Sequence, residues 1–200
     1  RLLHNLGDCL ARLERFDEAT SALNEALAIK EMQGSPTSIA STHAAIARMA
    51  IAQGKLELVD KHLKHAQELR AGRLPEQHPS LHDQLRIEVE LDILSNRLDK
   101  ANRGLAQLQE QLNDRVERAA AWERLRGLYL AAKGQPEAAR QTIEHAFDAI
   151  SQAEGPSSPR ARKCLKSLAT LADIRGDSEE AGKLRAASTP PTEINVDDAP

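Results

Sequence analysis

Apolar and small residues recur along the chain at helical spacing, and the pattern keeps returning in one frame. Leu3, Leu6, Gly7 and Leu10, followed by Phe16, Ala19, Leu23 and Ala26, are separated by the threes and fours that line one face of a helix. Ile46, Ala47, Ala50, Gly54, Leu56, Val59, Leu63 and Ala66 repeat the sequence of large and small positions. A third unit carries Leu85, Val89, Asn96, Leu98, Ala101 and Leu105. A fourth carries Gly127, Leu130, Gly134, Ala139, Ile143 and Ala146, and a fifth Leu165, Leu168, Ala169, Ala172, Gly176 and Ala181. The anchor residue in the second half of each unit, Ala except for Val59, falls at 19, 59, 101, 139 and 181, so the steps are 40, 42, 38 and 42 residues. Such self-similarity predicts stacked helical units that bury a continuous core against their neighbours.

Each unit predicts a helix A, a tight turn and a helix B. Gly54, Gly134 and Gly176 stand where helix A must end in a left-handed residue, and Asn96 takes the equivalent place. Glu14 is a poor occupant of that position, which predicts a differently shaped first turn. Gly7, Ala47 and Gly127 allow close approach of neighbouring helices, whereas Glu88-Val89 breaks that habit in the third unit. New units open at Gly34-Ser35-Pro36, His78-Pro79, and Gly155-Pro156 with Ser158-Pro159; Ser35 and Ser158 read as N-caps followed by Pro at the first helical position. The fourth opens after Asn113-Asp114 without a Pro. Leu85, Ile87, Val89, Leu91 and Ile93 alternate with the period of a strand, but Leu81, Leu85, Val89 and Ile93 are also spaced by four. Helix is the expectation, because a helix packed on two sides needs two apolar stripes.

The large–x2–Leu-Gly opening of Leu3 to Leu10, followed by Phe16, Ala19 and Ala26, resembles the tetratricopeptide repeat. Units longer than the usual one of about 34 residues, with a link such as Gln77-His78-Pro79-Ser80, resemble the kinesin-light-chain-like branch of that family. The resemblance implies an all-α, right-handed α-solenoid of five helix-turn-helix units at 1–34, 36–72, 78–113, 117–154 and 158–187. It also implies a protein-interaction scaffold whose ligand lies against the exposed face of helix A.

Composition sharpens this picture. The chain is 40% hydrophobic but only 2% aromatic, so its core must be built from Ala, Leu and Ile, which suits thin, closely packed helices. A net charge of -3 and almost no ring surface argue against nucleic acid as a partner. No run of eighteen apolar residues exists to span a membrane. Cys9 and Cys164 lie in apolar helical patterns and read as buried thiols, which favours a reducing, cytoplasmic setting. The start at Arg1, inside an amphipathic helix, reads as that of an excised piece and leaves an extracytoplasmic setting open. Pro190-Pro191 ends helix, and residues 188–200, with Glu193, Asp197 and Asp198, are expected to form a disordered acidic tail.

Carrying the repeat frame onto helix A gives one groove row of His4, Ala44, Arg86, Arg124 and Lys166. A turn later come Asp8, Arg48, Glu90, Leu128 and Thr170. The first row is a cationic ladder suited to an acidic peptide. Asp8 excludes the two-carboxylate clamp of chaperone-binding relatives, which needs Lys and Asn there. His62-x2-His65 and His78-x3-His82 lack completing ligands and read as solvated, so no metal site is expected. No nucleophile accompanies His82-Asp83, and no Gly-rich phosphate cradle is present, so neither a catalytic residue nor a cofactor is assigned. Trp122 reads as core. The expected function is a scaffold for a protein or peptide, the peptide acidic. The alternative is the regulatory or sensory C-terminal region of a larger signalling protein, such as a bacterial serine/threonine kinase or a transcriptional regulator. Self-association through Leu2, Leu3 and Leu6, and occupancy of the groove by the acidic tail, are further expectations.

Overall fold

Five repetitions of one turn organise the molecule. The computed structural model describes residues 1–75, 77–112 and 115–190. Among the described residues there are ten α-helices and no strand: α1 (Leu2–Arg12), α2 (Phe16–Gln33), α3 (Pro36–Ala52), α4 (Leu56–Arg70), α5 (Pro79–Leu94), α6 (Leu98–Glu110), α7 (Val116–Ala132), α8 (Pro136–Glu154), α9 (Pro159–Ile174) and α10 (Ser178–Ser188). Odd helices pack on the even helices that follow them, and α1, α3, α5, α7 and α9 also contact one another in series. The result is an all-α solenoid with the odd helices along one side.

The first turn is not the exception that Glu14 suggested. Glu14 adopts φ +63° and Asn96 φ +56°, beside +70° at Gly54, +74° at Gly134 and +78° at Gly176. Each left-handed residue brings the next N–H back to the carbonyl five residues earlier: Arg15 to Leu10 at 3.0 Å, Lys55 to Ala50 at 2.9 Å, Arg97 to Asp92 at 2.7 Å, Gln135 to Leu130 at 3.0 Å and Asp177 to Ala172 at 2.9 Å. This is the Schellman closure, which satisfies a helix-end carbonyl. At residue 14 it is made at the left-handed cost of a Cβ, about 1–2 kcal/mol.

The seams between paired helices are small against large. A Cβ on Gly7 would lie 2.6 Å from Leu23 Cγ, and one on Gly127 would overlap Ile143 and stand 3.0 Å from the Ala139 carbonyl oxygen. In the third pair the small residue has changed helix. Val89 of α5 occupies the place of Gly7 and Gly127, and its Cγ2 fills the space where Gly104 of α6 lacks a Cβ. The irregular Glu88-Val89 is thus compensated across the seam.

The alternating segment is helical. Ile87, Val89, Leu91 and Ile93 are all buried within α5, because that helix packs on α6 and also lies between α3 and α7. Ser158 caps α9 by accepting from the Ala161 N–H at 3.2 Å. Ser35 makes no side-chain cap bond, so Pro36 alone marks that helix start. The opening residues Asn113 and Asp114 lie outside the described residues, as do residues 191–200 of the expected tail, whereas Ser188, expected at its start, is the buried last residue of α10. Cys164 is buried but Cys9 is exposed, contrary to expectation, because its face of α1 has no neighbouring helix among the described residues. Leu2 (86% exposed) and Leu6 (51%) lie on that same open helix, while Leu3 is half-buried. No helix of the described residues is long and apolar enough to cross a membrane.

Candidate functional site: a cationic cavity inside the solenoid

All five odd helices line a half-open cavity of about 460 Å³, to which α8 adds Ile150. Its wall carries seven cationic side chains, Arg12, Arg48, Arg86, Arg118, Arg124, Arg160 and Lys163, and three carboxylates, Asp8, Asp83 and Glu117. A chain of net charge -3 has therefore gathered a positive interior. The curvature brings the first and last units together. Arg162 of α9 donates to the Arg12 carbonyl at the end of α1 at 2.9 Å, and Lys166 pairs with Glu14 of the first turn.

Inside the cavity the charges form two networks. Arg48 bridges three units, donating to Asp8 at 2.8 Å and to Asp83, while Arg86 donates to Asp83 at 2.8 Å. Burial alone would raise the Asp83 carboxyl; Arg48 and then Arg86 outweigh it and hold it at about 2. Deeper, Arg124 donates to Glu90 at 2.6 Å and to the Ser167 hydroxyl at 3.3 Å. Both partners are buried, and again the cations, Arg124 first, overcome burial and hold the Glu90 carboxyl at about 2. Lys163 moves the other way. Burial, with Arg86, Arg124 and Arg48 nearby and only Glu90 opposing, brings its ammonium down to about 8.

The structure places the residues of the sequence-based rows as follows. Asp8, Arg48, Arg86 and Arg124 line the cavity, and Glu90 stands behind Arg124. His4 faces Thr42 at 3.3 Å, and Leu128 is packed into the core. Lys166 belongs to the closure, beside a smaller hollow shared with Glu14, Thr170 and Arg185. The rows missed Arg12, His82, Asp83, Arg118, Arg160 and Lys163. The reason is superhelical drift. The cavity is lined by the C-terminal parts of α1 and α3, through Asp8 and Arg12, then Arg48 and Ala52. It is lined by the N-terminal parts of α5, α7 and α9, through His82, Arg118 and Arg160. A fixed repeat position therefore leaves the cavity after two or three units.

The remaining candidates also gain definition. His62 is not simply solvated: its Nδ1 lies 2.8 Å from Nδ1 of buried His43 on α3, and the His65 ring stacks 5.2 Å from His43. That hydrogen bond needs one N–H and one bare nitrogen. Burial, then His43, brings His62 down to about 4. His78 caps α5 by accepting from the Ser80 N–H at 3.1 Å, and His82 faces the cavity. Among the described residues no three His, Cys, Asp or Glu side chains are grouped to hold a metal ion. Trp122 packs against the core cluster of Val89, Ile93, Leu105 and Leu125 and donates its indole N–H to the Leu105 carbonyl at 2.9 Å.

Residues 1–71 match the family model of the tetratricopeptide repeat. That match spans the first two helix pairs, and the chain as a whole has a TPR-like solenoid fold. Two crystal structures of the nearly identical TPR-like repeats assigned to a kinesin light chain of Podosopora anserina share the fold, with TM-scores of 0.56 and 0.57. Each is 19% identical to this chain, over 94% of its length and 92% of theirs. No curated protein matches the sequence.

Proposed function

We propose that this TPR-like solenoid is a protein-interaction scaffold that holds an acidic segment of a partner chain in its concave cavity. The observation that carries this reading is the cavity wall itself, where all five odd helices contribute and cations outnumber carboxylates seven to three. A rigid, preformed cationic wall loses little ordering entropy on binding and offers guanidinium groups for bidentate carboxylate contacts. The likeness to repeats assigned to a kinesin light chain supports the fold of such a scaffold.

The reading is tested by fluorescence anisotropy with a labelled oligo-glutamate peptide. Binding is expected to weaken with salt, and the double substitution Arg86→Glu with Arg118→Glu should reduce affinity at least about tenfold. Circular dichroism should show retained helix. Unchanged affinity in that folded double variant, or equal binding of an oligo-glutamine peptide, would refute it.

A further inference from the structure

The cavity's charges do not cancel. Arg12 and Arg48 share Asp8, Arg48 and Arg86 share Asp83, Arg124 has Glu90, and Arg160 has Glu154. Lys163 and Arg118 have no carboxylate within salt-bridge distance among the described residues, although both line the cavity. Glu117 lines it as well. When Glu90 and Glu154 behind the wall are also counted, the described residues of the cavity carry two more positive charges than negative ones.

A lone carboxylate neutralises one of those two charges, and a phosphoryl dianion neutralises both. The cavity also has room for a side chain or a small headgroup but not for a folded domain. We infer that the cavity is a phosphoryl-recognition site in which Lys163 of α9 and Arg118 of α7 supply the uncommitted charge, with the Arg86 and Arg124 guanidinium groups lining the same space. This rests on the reading of the cavity as the ligand site, and it specifies the ligand's charge and shape. A second consequence follows from Lys163, whose ammonium is held at about 8 by burial and by its cationic neighbours. A bound dianion raises it again, so binding near pH 8 takes up a proton.

The experiment compares two peptides identical except for one phosphoserine or one glutamate, beside inorganic phosphate alone, by isothermal titration calorimetry in two buffers of different ionisation enthalpy. The phosphopeptide is expected to bind at least about tenfold more tightly than its glutamate counterpart, with net proton uptake at pH 8. Lys163→Met and Arg118→Gln, on different helices, should each remove most of that preference. Thermal melts will show that both variants fold, and Lys163→Met should also abolish the proton uptake. If inorganic phosphate competes as well as the phosphopeptide, the natural source is a free phosphorylated molecule. If it does not, the source is a modified side chain. Equal affinity for the two peptides, or a preference that survives Lys163→Met, would overturn this inference. The acidic-segment reading would still stand if the oligo-glutamate peptide bound.

Discussion

The seams between paired helices and the cavity they enclose obey different rules. At a seam each helix meets the same neighbour in every unit, so the same small-against-large contact recurs: Gly7 with Leu23, and Gly127 with Ile143. Where one side changes, as at Val89, the partner compensates with Gly104. The cavity is shared by helices four units apart, and its lining slides along the odd helices from one unit to the next. Packing therefore repeats in sequence while the binding surface does not. Seam residues should govern stability, and most cavity residues should govern ligand affinity.

Arg124 is the cavity residue expected to break that division, and by the largest amount. It is buried with Glu90, so Arg124→Met strands a buried carboxylate at a cost of about 3–5 kcal/mol. Urea unfolding will measure this, and adding Glu90→Met should recover much of the loss. Next come the seams. Gly127→Val forces a side chain against Ile143 and the fixed Ala139 carbonyl, and should cost about 1–3 kcal/mol with the interior charges untouched. Gly104→Ala should cost somewhat less, because the obstacle is only the Val89 methyl, and Val89→Ala in the same chain should restore part of it. If that double variant is no better than the sum of its parts, the compensation across the third seam is wrong.

The repeat itself was legible because nearest-neighbour packing writes the same residues at the same spacing. The left-handed turns were legible at Gly54, Gly134 and Gly176 and hidden at Glu14, where the neighbouring turn geometry overrides the residue's own preference. Half of the cavity row could be read from the sequence: Asp8, Arg48, Arg86 and Arg124. Lys163, Arg118 and Arg160 could not, since a fixed frame contains no record of superhelical twist. A row shifted towards the helix N-terminus with each unit would have found them. His43 was missed because His62 and His65 were judged on their own helix, without the α3 side chain that packs on them.

Acid should separate the two regions more gently. His43 and His62 have pKa values lowered by burial, so the folded state favours their neutral forms. Their contribution is complete above about 6.5 and is lost as pH falls towards 4, the value at His62. The carboxyl of Glu90, lowered from 4.5 to about 2, adds a second loss across that lower window. Lys163 acts in the same sense at the alkaline end, since its lowered value makes stability rise with pH between about 8 and 10.5. Unfolding midpoints across pH should show these windows, and His62→Gln should flatten the one between 6.5 and 4. The smallest effect is expected at Glu14→Gly. Relief of the left-handed backbone, about 1–2 kcal/mol, is offset by loss of the Lys166 contact and of chain stiffness.

Whether one closed superhelical turn encloses the cavity is decided by the distance between the first and fifth units. Spin labels at Arg15 and Thr170, in a Cys9→Ser background with buried Cys164 left in place, report it by pulsed electron resonance. Contact of Glu14 with Lys166 and of Arg162 with the Arg12 carbonyl predicts a single short, narrow distance distribution. A long or broad distribution, as in an open solenoid, would contradict a cavity built from all five odd helices.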